Sequence, residues 1–223
     1  YGEMMKTASI IALCLAGALF TLPTAASARD AGDFEYTIGL AHSFSDSISG
    51  REGSTLNLSS ETGFQLGIDY SLTSQLAVGF DMTWLRPSYN ATLVPEDGAP
   101  PVGISHTANI FTGQFNGSYS FIDGPISPYV EAGLGWSYFD SNVSDSAPVV
   151  GCWWDPWWGY ICDTFYSTYS NTSFSYGAAA GLRWDFQQNI FLKASYRWLE
   201  VESDNAINRP VLEQAALEIG WRF

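Results

Sequence analysis

The 223-residue chain carries 23 Asp and Glu against 9 Lys and Arg, a net charge of −14, and only 14% of its residues are charged while 16% are aromatic. This balance excludes a disordered or coiled-coil chain, and it excludes nucleic acid as a partner because the few cations are scattered and a phosphate backbone would be repelled. With 21 Gly, 12 Tyr, 14 Phe and 9 Trp, the composition suits a single β domain whose strands need aromatic and small side chains more than solvated faces.

Lys6 opens a short cationic stretch, Ile10 to Phe20 form an apolar run, and Ala26-Ser27-Ala28 has the Ala-x-Ala form of a leader cleavage site. The run falls short of the ~20 residues a helix needs to span hydrocarbon. Residues 1–28 are therefore expected to be a removed signal peptide, with Tyr1-Gly2-Glu3 lying ahead of the paired Met4 and Met5, and residues 29–223 to be the folded domain. Leu13 stands before Cys14 where lipid attachment would need a small residue.

Eight segments of period-two alternation follow. Phe34, Tyr36, Ile38 and Leu40 open the first; Phe64 to Leu72, Leu76 to Trp84, Phe111 to Phe121, Val130 to Tyr138, Phe174 to Trp184, Ile190 to Trp198 and Ala215 to Phe223 continue it. In each, apolar side chains fall on one face. Thr73-Ser74-Gln75, Asp123-Gly124-Pro125 and Gln187-Gln188-Asn189 read as tight turns, and the stretches near 46–61, 93–105, 143–171 and 203–211 as long loops. The opposite face is Gly, Ala, Ser, Thr, Asn and Gln with single charges, whereas a soluble barrel would show water a densely charged one. The pattern predicts an all-β, eight-stranded antiparallel up-and-down transmembrane barrel, its apolar faces on lipid and its edges closed because hydrocarbon satisfies no backbone group.

The leader, the eight strands and the ending Leu217-Glu218-Ile219-Gly220-Trp221-Arg222-Phe223 resemble the small outer-membrane β-barrels of Gram-negative bacteria, the OmpA-type and opacity-protein-like surface antigens. The resemblance implies an outer-membrane location among lipid and lipopolysaccharide. It also implies that Leu217, Ile219, Trp221 and Phe223 form the signal read by the barrel-assembly machinery. Because the sequence stops at the last strand, the peptidoglycan-binding domain of longer OmpA-type members is not expected. Family members are closed structural barrels or narrow gated pores.

Inward positions carry Glu35, Asp69, Asp81, Glu131, Asp185 and Glu218 against Arg183, Lys193, Arg197 and Arg222. In a lumen about wide enough for side chains alone, these ten are expected to interlock as a plug, with a gated ion pore as the alternative. Cys152 and Cys162 are expected to form a disulfide in an oxidising compartment. A metal site there lacks a nearby His or second Cys pair, and no metal or cofactor is predicted. Between the cysteines lie Trp153, Trp154, Trp157, Trp158 and Tyr160, read either as a recognition surface for an extracellular ligand or host surface or as an interfacial anchor.

Asp46, Glu52, Glu96, Asp97, Asp140, Asp145, Asp155, Asp163, Glu200, Glu202 and Asp204 make an acidic rim without an EF-hand spacing. No enzyme is predicted. His42 and His106 are the two imidazole bases, and although His106-Thr107-Ala108-Asn109 resembles the His-x-Ser-Asn of lipid A deacylases, Ala108 holds the nucleophile's position.

Overall fold

The computed structural model describes residues 29–50, 53–94, 100–144, 149–165, 167–202 and 209–223. The expected leader, residues 1–28, lies outside them. The first strands are β1 (Phe34–Ser43), β2 (Asp46–Ser49), β3 (Thr55–Leu58), β4 (Glu61–Ser71), β5 (Leu76–Leu85), β6 (Ser88–Leu93) and β7 (Val102–Thr107). Then come β8 (Asn109–Ser120), β9 (Ile126–Ser144), β10 (Val149–Asp155), β11 (Gly159–Phe165), β12 (Thr168–Asp185), β13 (Ile190–Val201) and β14 (Val211–Arg222).

Eight of these close a barrel in the order β1-β14-β13-β12-β9-β8-β5-β4, with every neighbouring pair antiparallel and β1 returning to β4. Closure leaves no barrel strand with an open edge, the condition for a sheet to sit in hydrocarbon. Alternation decides which face looks where. On β1, Glu35 and Thr37 are buried while Phe34, Tyr36, Ile38 and Leu40 are exposed, and on β4 Gln65 and Asp69 are buried between exposed Phe64, Leu66, Ile68 and Tyr70. An exposed apolar face around a buried polar one is the reverse of a soluble protein, and it makes the outer wall a lipid-facing band.

Three short turns join the strands at one end. In the first, Leu72 N donates to Leu76 O at 2.8 Å, and the Thr73 hydroxyl oxygen accepts from the Gln75 and Leu76 amides at 3.2 and 2.9 Å, the hydroxyl-capped turn that Thr favours. In the third, the Asn189 side chain donates to Arg222 O at 3.1 Å and ties the turn to the last strand.

The other end departs from the expectation of long loops. β2, β3, β6 and β7 form a second antiparallel sheet, and β10 pairs with β11 as a separate ribbon. β9 and β12 also outrun the eight-segment reading: they pair up to Ser144 and Thr168, well past Ser175↔Val201, where the β12–β13 ladder ends. Segments such as Thr55-Leu56-Asn57-Leu58 are too short for periodicity to reveal, and they become strands because partners from another loop satisfy their backbone groups.

Candidate functional site

The lumen is stacked in three layers. Nearest the turns, Arg183 meets Glu35 through two parallel bonds, Nη1 to Oε2 at 2.7 Å and Nη2 to Oε1 at 2.8 Å, and reaches Asp185 Oδ2 through Nε at 2.8 Å. Arg222 closes the same group with a short bond to Asp185 and longer contacts to Glu35 and Asp33 at 3.4 and 3.5 Å. Such forked guanidinium–carboxylate pairs are the strong form of a charge-assisted bond. The Arg183 guanidinium lies 3.7 Å above the Phe191 ring, which is fully buried. Phe191 fits because the residue facing it is Gly220, where any Cβ would overlap the ring.

The middle layer is centred on Arg197, whose Nη2 lies 2.6 Å from Asp81 Oδ2 and 2.8 Å from Glu131 Oε1. Lys193 Nζ pairs with Asp69 at 3.2 Å and sits 5.4 Å from the Tyr129 ring. Glu218 meets no cation at ion-pair distance among the described residues; it accepts hydrogen bonds from the Thr37 hydroxyl and the Gln65 amide, each at 3.1 Å.

Toward the loops the lumen turns apolar. Leu85, Ile110, Leu199 and Leu212 point inward from the barrel strands and pack with Leu58, Tyr89, Ala91 and Ala108 into the one buried apolar cluster found among the described residues. The Tyr89 hydroxyl is satisfied by Ser141 O at 3.0 Å.

Outside the barrel, Cys152 and Cys162 face each other across β10 and β11 and are joined by a disulfide, with Cα atoms 4.1 Å apart. Asp155-Pro156-Trp157-Trp158 makes the turn of this arm. Asp155 Oδ1 accepts from the Trp157 and Trp158 amides at 2.8 and 3.0 Å, Pro156 presets the second position, and Gly159 takes the left-handed φ of 80° that a side chain would resist. Trp157 and Trp158 are left 81% and 79% exposed, Trp154 and Tyr160 stand exposed and directly opposite each other, and Trp153 is less exposed on the other face.

The profile of the outer membrane protein β-barrel domain family matches residues 12–223. The chain belongs to this family. Its fold is similar to that of the outer membrane protein OprG of Pseudomonas aeruginosa, at 12% identity and TM-score 0.53 over 87% of this chain and 97% of that one. Neisserial surface protein A is similar at 16% identity and TM-score 0.52 over 86% and 97%. Ail, the attachment invasion locus protein of Yersinia pestis, solved in complex with the heparin analogue sucrose octasulfate, is similar at 17% identity and TM-score 0.50 over 86% and 99%. No curated protein matches the chain by sequence.

A member of the outer-membrane barrel family resides in the bacterial outer membrane, and in such barrels the short turns face the periplasm and the longer connections face outward. The apolar layer, the second sheet and the Trp arm therefore lie at the outer end, and the Arg183 layer lies at the periplasmic end.

All ten ionisable groups read as inward are buried in the lumen, and sequence reasoning missed their companions. Arg29 is also buried and donates to Ser120 Oγ at 2.7 Å, Asp33 joins Arg222, and Phe191 and Tyr129 are inward aromatics. The signal was present for Phe191 and Tyr129, which occupy inward register positions among polar neighbours, but Arg29 lies before the first strand and carries no periodicity. His42 bonds the Thr62 hydroxyl at 2.9 Å on the outer surface, and His106 lies opposite Tyr89 in the second sheet. Of the acidic rim, Glu52, Glu96, Asp97, Asp145 and Asp204 lie outside the described residues. Among the described residues no three His, Cys, Asp or Glu side chains group as metal ligands.

Proposed function

We propose that this protein is a non-catalytic structural barrel of the outer membrane whose lumen is closed by ion pairs and whose outer connections contact the surroundings. The observation that carries this reading is the central layer: Arg197 between Asp81 and Glu131, with Lys193 on Asp69, spans a lumen of a size that side chains fill. An ion crossing it would have to displace charge-assisted bonds and also pass the apolar layer above. Residues 1–28 act as the export leader and 29–223 as the barrel. The outward face of Leu217, Ile219, Trp221 and Phe223 serves assembly-machinery recognition, a role supported by its exposed apolar register.

One observation favours the narrow-pore alternative. Gln114 Nε2, both amide atoms of Asn116, Asp69 Oδ1 and Gln214 Nε2 are buried without a protein partner among the described residues, and such groups are where lumen water binds. Conductance in planar bilayers decides between the two, with folding verified by heat-modifiable gel mobility. The refolded wild type is expected to be silent. Steady wild-type conductance that changes in Arg197→Gln would replace the plug with a gated pore.

For the outer connections, the exposed aromatics of the disulfide-tied arm support either contact with an extracellular surface or seating in the lipopolysaccharide head groups. The cations argue against a sulfated polyanion of the kind in the Ail complex. Five of the nine Lys and Arg, Arg29 included, are buried in the lumen, and Lys6 falls in the leader. Only Arg51, Arg86 and Arg209 remain for the outer surface. Of these, Arg51 lies outside the described residues and Arg209 is engaged by Glu200 at 3.0 Å and the Tyr176 hydroxyl at 2.8 Å.

A further inference from the structure

We propose that the outer mouth of the barrel holds a binding site for a neutral, single-chain aliphatic amphiphile. A cavity of about 510 Å³ lies between the β2–β3 hairpin and the outer ends of β8, β9, β12 and β14. Its volume falls within the ~300–1,000 Å³ usual for small-molecule pockets. Most of its lining side chains are apolar: Ile48, Leu56, Phe139 and Val201 are only partly buried against the apolar layer and turn the rest of their surface to the cavity, beside Ile110 and Leu212. Contact with an alkyl chain would remove that surface from water, the dominant favourable contribution to binding such a ligand.

The floor makes the cavity a blind pocket rather than a passage. Leu58, Ile110 and Leu212 line it and also belong to the buried layer, below which lie the ion-paired layers around Arg197 and Arg183. An aliphatic chain gains nothing by entering those layers, and it would strip hydrogen bonds from buried charges if it did.

The mouth defines the head group. Asn171, Thr172 and Ser173 supply hydroxyl and amide groups, Glu202 supplies a carboxylate, and among the described residues no cation lines the cavity. A carboxylate or phosphate head would meet Glu202 with no cation among the described lining residues to neutralise it, whereas a hydroxyl head finds donors and acceptors. Phe174 lines the same cavity while standing exposed on the lipid-facing wall, and its carbonyl accepts from Glu202 N at 2.9 Å. The opening thus lies where that wall ends, the depth at which an amphiphile's head and tail separate.

The test is methyl NMR of the protein in phospholipid nanodiscs, titrated with straight-chain primary alcohols from hexanol to tetradecanol and with the matching alkanoates at neutral pH. The methyls of Ile48, Leu56, Ile110 and Leu212 are expected to shift saturably. Affinity should rise about 4-fold per added methylene, the ratio equivalent to ~0.8 kcal/mol, until the cavity is filled. Alkanoates are expected to bind at least about tenfold more weakly, the ratio that ~1.4 kcal/mol of unfavourable charge would give. Leu56→Trp, on the outer hairpin, and Val201→Phe, on the barrel, each fill the cavity from a different side. Either should abolish the shifts while the barrel's amide spectrum stays in place. Shifts that do not saturate, that appear equally on the lipid-facing methyls of Ile38 and Leu66, or that persist in both filled variants would overturn the site. Equal binding of alkanoates would overturn the neutral-head assignment.

Discussion

Arg197 shows how much a single side chain holds in this lumen. It is 6% exposed and serves two carboxylates, Asp81 and Glu131, that are themselves buried. Removing one partner of a buried pair leaves uncompensated charge and costs about 3–5 kcal/mol, whereas replacing a whole set by apolar groups of similar size is often nearly neutral. Arg197→Met is therefore expected to lower unfolding stability by that amount in urea titrations of the lipid-reconstituted protein. Adding Asp81→Leu and Glu131→Leu should recover most of the loss. A stability change under about 1 kcal/mol for Arg197→Met alone would mean that the layer contributes little to holding the barrel closed. On the opposite face the same chemistry reverses sign. Ile38 is outward in the middle of β1, and Ile38→Lys is expected to cost about 2–4 kcal/mol in the same titration, as a cation at the midplane of a bilayer does.

Among the elements, the β10–β11 ribbon depends most on a single covalent link. Two-stranded hairpins are marginal by themselves in water, and this one is a sheet apart from the barrel. A disulfide closing a loop of this size constrains the unfolded arm by about 3 kcal/mol, so Cys152→Ser with Cys162→Ser should open the arm locally. Limited proteolysis of folded protein is expected to cut between residues 153 and 161 at least tenfold faster in the double variant, while heat-modifiable gel mobility is unchanged. Equal cleavage rates would show that Asp155, Pro156 and Gly159 suffice to hold the turn. The same rigidity explains why such a run of indoles can stay exposed: a short, tied hairpin cannot fold back to bury them.

At the scale of the molecule, charge is sorted by depth. The lumen holds five buried cations against six buried carboxylates among the described residues, with Asp33 half-buried at its edge, while most of the remaining described acids lie at the loop end. An outer surface so poor in free cations should not retain polyanions, because counterion release needs clustered Lys and Arg. The folded protein is expected to pass through immobilised heparin at low ionic strength. Retention that disappears at moderate salt would instead reveal a basic patch formed by the outer connections. Depth sorting also orders the lumen along its axis, with the apolar layer toward the outer end and the ion-paired layers toward the periplasmic end.

Sequence alone determined which way the central positions of each barrel strand face, lipid or lumen, and with that the barrel, its closure and its membrane. Inside-outside alternation is a period-two property of each strand and needs no knowledge of its neighbours, which is why Glu35, Asp69 and Arg183 could be placed inward one strand at a time. Tertiary structure alone decided which charges meet. Arg197 bridges Asp81 and Glu131, 116 and 66 residues away, because register and barrel geometry bring their side chains to one level, and neither is encoded locally. For the same reason Arg29 and Asp33 joined the lumen without any periodic signal, and the inward leucines that form the outer apolar layer were hidden among outward ones. The short strands of the outer sheet emerged only when distant loop segments supplied each other's backbone partners.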